Sequence, residues 1–131
     1  TLLHDYPSIS VQIHGTLISL TMQTLPVLCE KIAGWNSVKH ISHSLNFACG
    51  KPQMDMGIFP AGFFDKEFDR CIELHNDDWT KNMLVGYKKK VNAQKYEPEK
   101  ITKLKTTLDE IDKRRGTNWK KLWPWLDSYE V

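Results

Sequence analysis

At 131 residues, 40% hydrophobic and 26% charged, with a formal net charge of +2, the chain has the size and balance of one globular domain. No apolar run approaches the roughly 18 residues needed to span a bilayer, and the three cysteines, Cys29, Cys49 and Cys71, are too few and too widely spaced for a disulfide framework. A membrane-spanning or disulfide-stapled class is therefore not expected, and a reducing, cytoplasmic setting is.

The net charge conceals an asymmetry. Residues 1–78 carry five basic and nine acidic side chains, whereas residues 79–121 carry thirteen basic and five acidic ones. A basic second half can attract polyanions, although in Lys-rich helices it is more often a solvated face.

In chain order, SISVQIH (8–14) alternates, with Ile9, Val11 and Ile13 on one face and Ser8, Ser10, Gln12 and His14 on the other. Period two with β-branched residues predicts a strand, which Gly15 and Thr16 would loosen at its end. TLPVLCEKIAGW (24–35) predicts a short helix, with Thr24 as its cap, Pro26 in the first turn and Gly34 as a stop. HISHSLNFA (40–48) predicts a second strand, with Ile41, His43, Leu45 and Phe47 on one face and Ser42, Ser44, Asn46 and Ala48 on the other. A turn at Gly50-Lys51-Pro52 and an irregular crossing to Pro60 follow. Strand, helix, strand within this span is the signature of a βαβ unit with parallel strands.

Beyond Pro60 the pattern is helical. Helices are predicted over 63–75 (Phe64, Phe68, Cys71 and Ile72 at helical spacing), over 78–94, and over 97–116. The last begins at Pro98, ends at Gly116 and carries the stripe Ile101, Leu104, Leu108, Ile111. Trp119, Leu122 and Trp123 are placed to close over its end. The expected fold is α/β: one domain, a small parallel sheet in a βαβ unit over 1–60, and a helical, basic half over 61–131.

Among sites that could carry chemistry, no CxxC, HxxxH or HExxH spacing is present, and three-residue spacing on a strand puts His40 and His43 on opposite faces. No metal is expected on that basis, and His43, on the apolar face, reads as a hydrogen-bonded core histidine. Cys29 and Cys71 lie on apolar helix faces, where a thiol behaves as a small hydrophobe; Cys49 has no neighbour in sequence to activate it. No phosphate loop, nucleophile elbow or paired-carboxylate motif occurs. The Trp-rich end (Trp119, Trp123, Trp125) reads as the lid of a core, or a patch meant for a missing partner domain, rather than a stacking platform. The polar strand face is the most informative feature: Ser10, Gln12, His14, Ser42, Ser44 and Asn46 point one way, where a parallel sheet is ordinarily apolar.

The order of elements, with Leu45-Asn46-Phe47 running through Gly50 and Pro52 to Phe59-Pro60, and a basic tail carrying Asp112, Arg115, Thr117 and Trp119 before Pro124, resembles the C-terminal part of twitch-type radical S-adenosylmethionine proteins of phages and marine bacteria. The family's CxxxCxxC motif, whose three thiolates hold an iron–sulfur cluster, does not occur in this chain. The resemblance therefore implies the closing strands and tail of a partial barrel, a fragment of a longer protein, inactive alone. Gln12, His14, Ser44 and Asn46 would position substrate on the barrel's inner wall. Cofactors would then be none in this chain, S-adenosylmethionine and the cluster being held by the N-terminal part; the partner would be that missing half or a second copy of the chain. The alternative reading is a small basic helical module that binds nucleic acid or a protein partner.

Overall fold

The computed structural model describes residues 5–47 and 52–131, Phe47 by its backbone alone. Two strands, β1 (Val11–Leu17) and β2 (Ile41–Phe47), flank helix α1 (Leu25–Asn36), which follows a 3₁₀ turn at Met22–Thr24. Two further 3₁₀ turns, Pro52–Met54 and Met56–Ile58, lead to α2 (Asp65–Leu74) and α3 (Asp78–Asn92). Then come α4 (Pro98–Arg115), α5 (Trp119–Leu122) and α6 (Pro124–Ser128). The fold is thus α/β, a βαβ unit followed by a helical half. No helix among the described residues is long and apolar enough to cross a membrane.

The strands pair in parallel, in a two-stranded sheet with Gln12 opposite Ser42, His14 opposite Ser44 and Thr16 opposite Asn46. The alternation therefore continues three residues beyond the expected end of the first strand. Ser10 lies outside it, and Thr16 takes the place beside Asn46 that sequence reading left to the 8–14 strand. Gly15 belongs to the strand for a steric reason: a Cβ there would stand 2.7 Å from Leu45 Cδ2. Leu45 packs over the bare backbone, so Gly15 permits the close approach of the pair rather than loosening it. The turn at Gly50-Lys51-Pro52 falls largely outside the described residues.

Helix α1 packs on α2, and α2 on α3. One core joins Leu17, Leu25, Cys29 and Leu45 of the βαβ unit to Phe59, Phe64, Phe68 and Cys71, and on to Leu84, Ile101, Leu104 and Leu108. Thr24 stands at the N-cap of α1, but its hydroxyl donates to the Thr21 carbonyl (3.0 Å) instead of capping the helix. Helix α4 behaves as its stripe dictates: Ile101, Leu104 and Leu108 are buried and Ile111 is half-buried. Over its end close Trp119 and Leu126; Leu122, expected there, is 67% exposed, and Leu126 of α6 is buried instead. Rings of Phe59, Phe63, Phe64, Trp125 and Tyr129 pack together beside this corner, Phe59 edge to face on Tyr129 with centroids 5.3 Å apart and stacked on Phe63. The Trp-rich end is therefore part of the core lid.

The corner between α4 and α5 is held by two carboxylates of α4, Asp112 and Asp109. Asp112 accepts from the Thr117 hydroxyl at 2.5 Å and from the Trp119 backbone N–H at 2.7 Å, while the indole N–H of Trp119 donates to Asp109 at 2.7 Å. Gly116, at φ 66°, supplies the left-handed residue that ends α4.

Candidate functional site

Two constellations meet near β2. The first is the polar face of the sheet. Gln12, His14, Thr16, Ser42 and Asn46 are exposed and Ser44 is half-buried, so no described element covers this face. Of the residues singled out for substrate, Gln12 and Ser44 also line a cleft of about 570 Å3, whereas His14 and Asn46 do not.

The second constellation lies on the opposite, apolar face. His43 on β2 points inward and is 7% exposed; His75, the residue that ends α2, is equally buried; Cys29 of α1 is 1% exposed. One ligand atom from each of these three residues lies within 4.8 Å of the other two. His43 Nδ1 stands 3.1 Å from His75 Nε2, and the rings stack with centroids 5.3 Å apart. His75 Nδ1 lies 2.8 Å from the Cys71 carbonyl, which can only accept, so Nδ1 carries the proton and Nε2 presents its lone pair to the cluster. His43 Nε2 is buried without a hydrogen-bond partner.

Two thiols sit side by side here. A hydrogen bond from Cys71 is the largest influence on Cys29 and, with a second from His43, draws its thiol down to about 5 against the opposing effect of burial. Cys71 is pushed up by the same bond and by burial. The shared bond thus favours the ionised form on Cys29 and the protonated form on Cys71. Both are free thiols.

The cleft runs over this cluster. Cys29, His43 and His75 line it together with Asn36, Asp77 and Thr80, and Trp79, 67% exposed, stands beside it. Asp77 is committed elsewhere, its carboxylate accepting the Thr80 N–H at 2.7 Å as the cap of α3.

Sequence reading identified His43 as a hydrogen-bonded core residue, as the structure has it, but did not connect it to His75 or Cys29. One local sign was present: Cys71 and His75 are four apart on a helix and so share a face. The rest depends on β2 and α1 being brought together by the fold. A search of family models, curated proteins and solved structures finds no match to this chain.

Proposed function

We propose that this chain supplies the closing strands and the tail of a radical S-adenosylmethionine-type partial barrel, with Gln12, His14, Ser44 and Asn46 on the inner wall, positioning substrate. The observation that supports this reading is the open polar face of a parallel pair. Parallel sheets occur almost only with both faces covered, and two strands alone are marginal in water. Here the sheet has two strands, one uncovered face and a row of hydroxyl, amide and imidazole groups along it. Further strands pairing with β1 would turn that row toward a barrel interior, below the C-terminal strand ends where barrel enzymes place their substrates.

The test is the coding sequence upstream of residue 1, read for an in-frame CxxxCxxC, followed by amide exchange on the longer chain and on this one. The expected result is a three-cysteine motif, with the outward-facing amides of β1 exchanging freely in this chain and protected in the longer one. An upstream reading frame without the motif, or β1 amides unchanged by the added chain, would overturn the reading.

A further inference from the structure

We propose that Cys29, His43 and His75 form a mononuclear divalent-metal site, suited to zinc, whose fourth coordination position opens into the cleft. The ligands of this site are distinct from the substrate face, although Gln12 and Ser44 line the same cleft. The site uses the other side of β2 and none of the four residues assigned to substrate.

The geometry is that of ligands already gathered. Two nitrogens bound to one tetrahedral zinc, at about 2.0–2.1 Å each, stand about 3.3 Å apart; His43 Nδ1 and His75 Nε2 are 3.1 Å apart. The 4.8 Å limit on all three ligand atoms leaves room for a single ion. His75 is oriented by donating Nδ1–H to a backbone carbonyl, the outer-shell arrangement that fixes the tautomer of metal-bound histidines. His43 is held inside the protein with its outer nitrogen unsatisfied.

The chemistry of the donors selects the ion. One thiolate and two imidazoles suit zinc and exclude magnesium or calcium, which take oxygen ligands. An iron–sulfur cluster held by thiolates is a poor fit, because only Cys29 among the three ligands is a thiol. Cys71 hydrogen-bonds to the Cys29 sulfur and presents its carbonyl to His75, so it acts as a positioning residue for two ligands at once. It does not line the cleft, whereas all three ligands do. Asp77 is held by its cap, so the open position is left to water or a small anionic ligand, as in zinc sites with three protein ligands.

The experiment is titration of the purified, chelator-treated chain with cobalt(II) and zinc(II). One equivalent of cobalt should bind with intense visible bands of four-coordinate geometry and a thiolate charge-transfer band. Cys29→Ser and His43→Ala should each weaken binding at least tenfold with an unchanged far-ultraviolet dichroism spectrum, and Cys29→Ser should lose the charge-transfer band. Cys71→Ser should keep both the stoichiometry and that band while binding roughly 10–100-fold more weakly. His14→Ala, at an exposed position outside the cleft, should change nothing. X-ray absorption on the unmutated zinc-loaded chain provides a reading that does not depend on the variants folding: one sulfur and three lighter ligands are expected. No uptake by the folded chain, binding abolished by the His14 substitution, or a zinc shell with no sulfur or with two would each overturn the proposal.

Discussion

Leu108→Ala tests whether α4 is docked or free. Leu108 is 4% exposed and packs in the same core as Ile101, Leu104, Trp119 and Leu126. The truncation removes about three methylene equivalents, roughly 2.4 kcal/mol of transfer free energy at about 0.8 each. The unfilled space adds to this, since α4 is pinned at its far end by the Asp112 corner and cannot collapse inward; the total belongs within the ~2–5 kcal/mol seen for core leucines, at about 3. Urea titration followed by far-ultraviolet dichroism would measure it, with the slope unchanged if the transition stays cooperative. Lys103→Ala, at an exposed position of the same helix, should shift stability by less than about 0.5 kcal/mol. Lys105 is not an equivalent control: its ammonium donates to the Tyr129 carbonyl at 2.6 Å, so its loss should cost on the order of 1 kcal/mol. Equal, small effects of Leu108→Ala and Lys103→Ala would refute the docking, and a free basic helix would favour the binding-module reading instead.

Asp112→Ala should destabilise the chain by about 2 kcal/mol, since it removes a carboxylate that accepts from Thr117 and the Trp119 backbone; Trp119 fluorescence should shift to the red, and an unshifted spectrum would place the corner's rigidity elsewhere. Gly116→Ala, at φ 66°, should cost roughly 1–2 kcal/mol by the left-handed penalty alone, because no atom stands within 4 Å of the added Cβ; a neutral result in the same urea titration would contradict that conformation. Zinc at a hundredfold excess over its dissociation constant should raise unfolding stability by about 2.7 kcal/mol, an increment that Cys29→Ser should abolish and His14→Ala should retain.

How much could be read in advance depended on where the information lies. Helix α4 was legible almost to the residue, since Pro98, the apolar stripe and Gly116 all fall within its own span. The first strand was misplaced because alternation continues evenly from Ile9 to Leu17, and nothing local says which part will pair. Its bounds come from β2, whose Leu45 packs over Gly15. Leu122 looked like a core residue by composition, but the turn from α5 to α6 exposes it and buries Leu126. The four polar residues of the sheet were placed on one face correctly by period two. The Cys–His cluster was hidden because its ligands come from α1, β2 and the end of α2, and ligand spacing in sequence is informative only when two ligands share an element.

The two proposed sites constrain each other through the edge of β2. His40, Ile41, Ser42, His43 and Ser44 all line the cleft, five consecutive residues, whereas β1 contributes Gln12. Side chains of a strand alternate between faces, so a cleft touched by consecutive residues must run along the strand's edge. That edge is the one facing away from β1, as the sheet has two strands among the described residues. A further strand added to β2 would fill the cleft and shut the metal's open position. On the proposed reading, strands completing a barrel would then add on the β1 side. Amide exchange separates the cases: protection appearing on the outer edge of β1 allows both sites to function together, while protection on the outer edge of β2 would leave the metal closed and purely structural.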